Sequence, residues 1–261
     1  MNRRIKSYAY SLNEVFPFAL GVLRFLTGKP IKNFIFSLRD FVILSRQISK
    51  IEGKPKIEWQ LSLSDRNAEA GKVPKHYFLQ DIWAAKKVRA SGARRHHDIA
   101  SRLDGFIAHC LVFCSVTMLD IRPLKLKIKG LNFEKFDLLS TNKSLTNKLV
   151  SLSSLHVLEH IGLGRYGDNV NLNGPEMAIQ NIQSMLMSGA NLYVSVPIGK
   201  ERIVFNSHRV FNADKFIKLF NSCDIIEFSA IDDNDVYLEN SDPKLFESSN
   251  YSCGLFHFKK R

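Results

Sequence analysis

The sequence predicts an α/β protein in which a mostly parallel sheet follows a helical N-terminal extension. Short apolar runs typical of buried strands alternate with helical stretches from about residue 76 onward. Strand, helix and strand at this spacing indicate a parallel sheet with crossover helices. The composition, with 45% hydrophobic and 24% charged residues, is that of an ordinary globular protein. No fixed-period repeat is present, which argues against a solenoid or a propeller.

Residues 1–75 are predicted to form the extension. Between about 10 and 50, Phe, Leu and Ile alternate with Arg and Lys in a pattern typical of amphipathic helices. Either these helices dock on the main domain, or their basic and aromatic face contacts an anionic membrane. The apolar stretch 15–26 is short and contains Pro17 and Arg24, so it predicts no membrane-spanning helix. A boundary is expected near residue 75, after a run of turn-forming residues: Gly53, Pro55, Gly71 and Pro74.

The net charge of +12 is unevenly distributed along the chain. Residues 1–130 hold 24 basic and 10 acidic residues, whereas residues 131–261 hold 13 and 15. This asymmetry predicts an anionic partner: a membrane surface, a phosphorylated substrate or nucleic acid. A solvated basic face explains the cluster between residues 86 and 95 more simply than nucleic-acid binding does, so nucleic acid is not the expected partner.

The four cysteines indicate free thiols. Cys110, Cys114, Cys223 and Cys253 form no CxxC pair and no Cys/His spacing of a structural zinc site. No metal site is therefore predicted. Free thiols suit a reducing compartment, so we expect a cytoplasmic protein. Peripheral association with the inner face of a membrane is the further expectation.

The main domain is predicted to begin with a helix over 78–90. Further helices are expected at 175–187, closed by Gly189, and at 214–220. Apolar runs predict strands at 116–120, 153–158, 191–196, 225–231 and 254–258.

Residues that follow the first two strands suggest a nucleoside site. In an open parallel sheet, ligands bind beyond the carboxyl ends of the strands. Asp98 and Asp120 lie 22 residues apart. An acid about 20 residues after the first loop, at the end of the second strand, can accept hydrogen bonds from the hydroxyls of a ribose. The intervening loop 98–105 contains one glycine, Gly105, which disfavours a dinucleotide. A cofactor without a pyrophosphate fits better, and S-adenosylmethionine is the common one.

Four segments resemble a known family. They are Asp-Ile-Ala-Ser-Arg-Leu-Asp-Gly at 98–105, Asp-Ile-Arg-Pro at 120–123, the long run Leu-Ser-Ser-Leu-His-Val-Leu-Glu-His-Ile-Gly-Leu-Gly-Arg-Tyr-Gly-Asp at 152–168, and Phe-Asn-Ser-His-Arg at 205–209. Together they resemble the bacterial family catalogued as domain of unknown function 268, which is similar to class I methyltransferases that use S-adenosylmethionine. The resemblance covers about residues 75–258. It implies a Rossmann-like methyltransferase fold whose last strand is antiparallel.

The resemblance also implies cofactor contacts. The loop under the methionine part of the cofactor corresponds to Asp98, Ala100, Ser101, Arg102 and Gly105. Asp120 matches the ribose-binding acid, and Asp137 falls near the expected position of the adenine. The superfamily usually has glycines where Ala100 and Arg102 stand, so Arg102 would either crowd the cofactor or pair with its carboxylate.

Each of these acids has a plainer interpretation. Asp98 could cap the helical segment that follows it. Asp120 could form a salt bridge with Arg122, and Asp137 could begin a turn.

Residues 156–160 would face the transferable methyl group, as the resemblance implies. His156 or His160 could act as a general base, because histidine titrates near physiological pH. Either could equally be a structural histidine. The spacing His-x-x-x-His with Glu159 is not His-Glu-x-x-His, which argues against zinc.

Polar residues of the Gly-rich run 162–168 and of the segment near 208 are candidates for acceptor binding. An arginine can bind a carboxylate or phosphate through two hydrogen bonds. For His208 and Arg209, surface ion pairs with neighbours such as Glu201 or Asp214 are the alternative. The candidate substrate residues are Glu159, Arg165, Tyr166, Asp168, His208 and Arg209.

Two classes of function follow. The first is an S-adenosylmethionine-dependent methyltransferase acting on an oxygen or nitrogen, with a small or glycan-linked acceptor in surface polysaccharide synthesis as the resemblance suggests. The second is a non-catalytic protein of the same fold that binds a nucleotide sugar or assists assembly at a membrane.

Overall fold

The structure is a computed structural model that describes residues 29–53, 55, 56, 58, 60–71, 73–140 and 144–261. Contacts divide the chain after residue 72, so the residues described before that point and Val73–Arg261 are treated separately. The predicted stretch 15–26 lies outside the described residues. The helices are α1 (Lys29–Ile48), α2 (Lys75–Ala90), α3 (Ala108–Cys110), α4 (Gly174–Met185) and α5 (Ala213–Lys218), and short helical turns lie at Asp65–Asn67, Leu103–Ile107 and Pro243–Phe246.

One sheet of eight strands organises the second unit. In the part of the chain that is described, its order is β3-β2-β1-β4-β5-β10-β8-β9. β1 to β5 run parallel, while β10 is antiparallel to both β5 and β8. The strands are β1 (Arg95–Ile99), β2 (Ser115–Asp120), β3 (Leu131–Lys135), β4 (Leu149–Leu155), β5 (Leu186–Ile198), β8 (Cys223–Ile231), β9 (Tyr237–Leu238) and β10 (Ser252–Lys260), with a separate hairpin of β6 (Arg202–Val204) and β7 (His208–Val210).

Helices cover both faces of this sheet. Side chains on a strand alternate between faces, and in β5 Leu192 and Val194 join one core cluster whereas Tyr193 joins the other. The first cluster includes α4 and α5, and the second includes α2. Burial on both faces explains why the second half of β5 is an almost continuous apolar run rather than an alternating one. The predicted α/β fold, with its antiparallel last strand and helical N-terminal segment, is confirmed.

Two predicted elements are displaced. The strand expected at 153–158 is β4 at Leu149–Leu155, which ends before His156. Gly189 was expected to close a helix, but α4 ends at Met185 and β5 begins at once. Leu149 pairs with Leu186 and Ser151 with Asn191, so β5 bulges between these pairs. Gly189 lies in that bulge with φ +78°, a conformation that glycine adopts without strain.

The first unit is described from Lys29 onward. Its helix α1 is 20 residues long, and Asn33 donates a hydrogen bond from Nδ2 to the Leu63 carbonyl at 2.7 Å. Several large apolar side chains of α1 are exposed, among them Phe34, Ile35 and Leu38. Within the described ranges, no helix combines the length and apolar character needed to cross a membrane.

Candidate active site at the carboxyl ends of the strands

The turn after β1 is built around Asp98, which is fully buried. Its carboxylate accepts hydrogen bonds from the Ser101 N–H at 2.8 Å, from the Ser101 hydroxyl at 2.7 Å and from the Ser153 hydroxyl. Burial raises the pKa of Asp98 to about 6, although these hydrogen bonds oppose the shift. Asp98 therefore shapes the turn from beneath rather than lining the open cleft.

Ala100 occupies the position where the methyltransferase motif usually has glycine. Its φ is +54°, in the left-handed region. The turn thus keeps the backbone course that a glycine would permit, and Ala100 lines the cleft. Holding an L-residue there costs roughly 1–2 kcal/mol.

Arg102 does not line the same cleft. Its guanidinium makes two hydrogen bonds to Asp104, at 3.0 and 2.7 Å, and lies 4.9 Å from the centre of the Tyr77 ring. It faces an adjoining groove together with Ser101. Packing explains the glycine at position 105, because a Cβ there would lie 2.0 Å from the carboxylate of Asp81.

Asp120 lies at the end of β2, on the wall of the cleft. Its carboxylate accepts three hydrogen bonds from Arg122: from the backbone N–H at 2.8 Å, Nε at 3.1 Å and Nη2 at 2.7 Å. Asp120 therefore does form the salt bridge with Arg122. A ribose bound at Asp120 would have to share the carboxylate with Arg122 or displace the arginine from it. The second acid, Asp137, accepts from the Leu139 N–H at 2.9 Å and so does begin a turn, while also lining the cleft.

The cleft itself has an empty volume of about 670 Å³. It lies at the carboxyl ends of β1, β2 and β4, where open α/β sheets bind ligands. Predicted residues that it brings together are Ala100, Asp120, Asp137, His156, His160, Tyr166 and Asp168. Apolar residues that were not singled out from the sequence complete the wall: Ile99, Leu119, Ile121, Phe136, Val157, Leu138, Leu139 and Ile161. The run of apolar residues around Asp137 was the available signal for Phe136, Leu138 and Leu139.

Both ring nitrogens of His156 have partners. Nδ1 lies 2.7 Å from Glu159 Oε1, and Nε2 lies 3.5 Å from Cys253 Sγ. Burial alone would lower the pKa of His156, but Cys253 and Glu159 together raise it well above the ordinary value. The backbone is strained here as well, since His156 has φ +52°. A ring held on both sides is poorly placed to take a proton from an acceptor.

His160 has a more accessible ring. Nδ1 lies 2.6 Å from the Ser207 carbonyl, which assigns the proton to Nδ1. Nε2 lies 3.6 Å from Glu159 Oε1. Burial lowers the pKa of His160, so the ring is neutral at pH 7 with Nε2 unprotonated. Of the two histidines, His160 thus has the arrangement that a general base needs.

Glu159 lies beneath the two histidines and is 1% exposed. Its Oε1 contacts both rings, while Oε2 is buried without a hydrogen-bond partner among the described residues. Its 2.7 Å contact with Nδ1 indicates that Glu159 orients the ring of His156.

Asp168 and Arg209 hold the Gly-rich loop between β4 and α4. Asp168 Oδ2 accepts from the Gly162 N–H at 2.6 Å, and Oδ1 accepts from the Tyr166 N–H at 3.2 Å. Arg209 donates to the Ile161 carbonyl at 2.6 Å and, with longer bonds, to two carbonyls further along the loop. Arg209 is 6% exposed, so its guanidinium braces the loop from within.

Tyr166 lies at the rim of the cleft between two arginines. The guanidinium of Arg122 is 4.7 Å from its ring centre and that of Arg165 is 5.1 Å away. Arg165 also donates to the Ser207 carbonyl at 2.9 Å. His208 lies apart from this rim, with Nδ1 bonded to the Ser207 hydroxyl at 2.8 Å and its ring against Tyr251.

Several solved structures of low sequence identity share this fold. The N-methyltransferase NodS from Bradyrhizobium japonicum WM9, in complex with S-adenosyl-L-homocysteine, is similar over 73% of this chain and 89% of its own, with 15% identity and a TM-score of 0.51. The 1,6-didemethyltoxoflavin-N1-methyltransferase from Burkholderia thailandensis is similar over 70% and 79%, with 13% identity and a TM-score of 0.50. The cyclase SpnF is similar over 70% and 80%, with 12% identity and a TM-score of 0.51. The chain therefore has the Rossmann-like fold of class I methyltransferases.

A family profile places the chain more closely. The family described as "Caenorhabditis protein of unknown function, DUF268" matches residues 109–253, more than half of the sequence. The chain belongs to the DUF268 family. That description names Caenorhabditis, so the bacterial attribution made from the sequence is not supported. No curated protein matches the chain.

Proposed function

We propose that the cleft binds S-adenosylmethionine and that the protein is a methyltransferase. The observation that carries the proposal is the placement of Asp120, which ends β2 beside the left-handed turn at Ala100. An acid at the end of the second strand and a tight turn after the first are what a nucleoside ligand needs at this edge of a sheet.

The residues of the cleft fit such a cofactor. The apolar side chains of Phe136, Leu138 and Leu139 offer a surface for a purine, next to Asp137. Asp120 would accept hydrogen bonds from the ribose hydroxyls. Arg102 leaves room for the methionine part, since it is turned toward Asp104.

Catalysis would depend mainly on positioning. S-adenosylmethionine supplies an electrophilic methyl group on a sulfonium. His160 Nε2, unprotonated and at the wall of the cleft, would take the proton that an acceptor hydroxyl or amine loses. Glu159 would stabilise the imidazolium that forms once Nε2 is protonated.

The acceptor is proposed to be a small or glycan-linked molecule in surface polysaccharide synthesis. The rim formed by Arg122, Tyr166 and Arg165 combines two cations with an aromatic face. Such a rim would suit a sugar that carries a phosphate, as nucleotide-linked and lipid-linked glycans do.

Isothermal titration with S-adenosylmethionine and S-adenosylhomocysteine tests the cofactor. We expect one site in the wild type and loss of binding in Asp120→Ala. Asp224→Ala is the matched control, because Asp224 is an exposed acid at the far end of β8. Absence of binding in the wild type, or equal binding in Asp120→Ala, would contradict the proposal.

One observation favours the alternative, a nucleotide-sugar-binding protein without methyl transfer. Arg122 already satisfies the carboxylate of Asp120, and it presents a cation where a diphosphate could bind. The same titration with a uridine-diphosphate sugar separates the two functions. Binding of the nucleotide sugar together with no binding of S-adenosylmethionine would favour the alternative.

We further propose that the first unit contacts an anionic membrane peripherally. Ile35 is 59% exposed and has the cations Lys32 and Arg39 nearby on α1. Apolar side chains beside cations are typical of interfacial helices. Flotation with phosphatidylserine vesicles should recover the wild type, less of Ile35→Glu, and an undiminished amount of Val112→Glu, whose exposed apolar residue lies in the second unit. Equal recovery of all three would contradict this contact.

A further inference from the structure

We propose that His76, His156 and Cys253 form a binding site for a single thiophilic dication of the zinc class. The residues come from the first turn of α2, from the turn after β4 and from the start of β10. One ligand atom of each lies within 4.8 Å of the other two. The sequence predicted no metal site, because these residues are far apart in the chain and only the fold brings them together.

The distance between the two most buried ligands fits a shared metal ion. Cys253 Sγ lies 3.5 Å from His156 Nε2. With zinc–sulfur and zinc–nitrogen bonds of about 2.3 and 2.05 Å and tetrahedral angles, the two ligand atoms would be about 3.6 Å apart. The pair therefore needs almost no rearrangement to bind zinc.

Neighbouring carboxylates fix both of these ligands. Glu159 Oε1 is 2.7 Å from His156 Nδ1, which directs Nε2 toward Cys253. A carboxylate on the far nitrogen is the usual support of a metal-binding histidine. Asp233 holds the strand start that carries Cys253: it accepts from the N–H groups of Asn250 and Tyr251 at 2.7 and 2.8 Å.

His76 is the ligand that must adjust. Its ring stacks on that of Tyr251 with 5.7 Å between centroids, and its side chain is 16% exposed. His76 would bind the ion through a ring nitrogen of the neutral imidazole. His76 also lines a surface groove together with Asp233 and Asp235, whose carboxylates would attract a cation to this side of the cluster.

Three protein ligands leave one position of a tetrahedral ion for water, as in catalytic rather than structural zinc sites. On binding, the proton on His156 Nε2 and any proton on the Cys253 sulfur would be released to solvent, so that each atom offers a lone pair and forms its bond to the metal. Cys253 is fully buried, so its sulfur is not placed to attack a substrate. His156 also lines the cleft, whereas Cys253 and His76 do not.

Cobalt titration of the metal-free full-length protein tests the site without any cofactor. We expect one equivalent of Co²⁺ to bind, with the strong visible absorption of tetrahedral cobalt and a sulfur-to-cobalt charge-transfer band. Equimolar Zn²⁺ should bleach both signals. Cys253→Ala should lose the charge-transfer band, and His76→Ala should weaken cobalt binding at least tenfold.

Cys223→Ala is the matched control, since Cys223 is also buried but lies outside the cluster, and it should behave as the wild type. Should Cys253→Ala fail to fold, His76→Ala serves alone, because His76 lies at the edge of the cluster. The proposal is overturned if the wild type binds no cobalt, or if His76→Ala and Cys253→Ala retain the wild-type spectrum and affinity. Neither result depends on whether S-adenosylmethionine binds.

Discussion

Two non-glycine residues with positive φ flank the candidate cleft. Ala100 follows β1 and His156 follows β4, with φ of +54° and +52°. Each is held by its backbone N–H, which donates to the Leu119 carbonyl and to the Ser195 carbonyl, respectively, both at 3.0 Å. Such strain persists only where the surroundings over-determine it, and it concentrates at functional sites. The two turns that would meet a ligand are therefore fixed before the ligand arrives.

The buried Asp98 should make stability depend on pH. Its pKa is about 6 in the folded state, above the ordinary value of 3.8, because burial favours the neutral form. Between these values the folded state binds more protons than the unfolded state, so this group's contribution to the free energy of unfolding falls as pH rises. The whole loss amounts to about 3 kcal/mol. We expect Asp98→Asn to gain stability relative to the wild type from pH 4 to pH 7, measured by urea denaturation.

Asp104 provides a control of opposite sign. It is exposed, and Arg102 lowers its pKa, so it contributes stability that is present above the unfolded pKa and lost as the pH falls. Asp104→Asn should therefore lose relative stability as the pH rises. A stability difference between Asp98→Asn and the wild type that stays constant from pH 4 to pH 7 would show that Asp98 is ionised throughout.

For individual residues, the sequence identified polar candidates for the site but only some of the side chains that they contact. Arg122 was foreseen as a partner of Asp120 because it stands two residues away. Cys253 stands 97 residues from His156, and no local pattern links them. Side-chain contacts across the sheet depend on the order of the strands. A single sequence does not give that order.

Among the elements, the loop between β4 and α4 depends on one buried arginine. Arg209 was a candidate for substrate binding, but its guanidinium bonds to the carbonyls of Ile161, Asn171 and Leu172. Arg209→Ala would leave these carbonyls without their charged donor, at a cost of about 2 kcal/mol. We expect a lower urea midpoint and faster amide hydrogen exchange in residues 161–172.

Arg202 is the matched control for this prediction. It lies on the same hairpin but donates to the exposed Lys200 carbonyl at 3.0 Å. Arg202→Ala should change stability by less than about 0.5 kcal/mol. If Arg209→Ala proved as stable as Arg202→Ala, with unchanged exchange in the loop, the bracing role would be wrong.

Element type was more predictable than element boundaries. Short runs rich in apolar residues located β2, β4, β5, β8 and β10, since strands buried on both faces favour apolar side chains. The end of β4 was placed three residues late, because Val157 and Leu158 are apolar and buried although they lie beyond the strand. Apolar residues in a sequence indicate burial, but they do not indicate where the backbone turns, as it does at His156.

Across the whole molecule, the expected domain boundary near residue 75 remains a prediction. Contacts separate the described residues before 72 from Val73–Arg261. The sheet, the cleft and the proposed metal ligands all lie in the second unit. A compact unit with its own core is able to fold alone.

We expect a chain truncated to residues 73–261 to unfold cooperatively and to bind S-adenosylmethionine with the affinity of the full chain. A second truncation, to residues 92–261, removes α2 and with it Trp83, Ala84 and Val88 from the core. Burying a large side chain contributes about 1.5–3 kcal/mol, so the loss of Trp83 and Val88 together with the rest of α2 should abolish cooperative unfolding. Urea denaturation followed by tryptophan fluorescence suits the first chain, which retains Trp83, and circular dichroism suits both. Failure of 73–261 to fold would show that the second unit needs the N-terminal residues and would move the domain boundary toward the start of the chain.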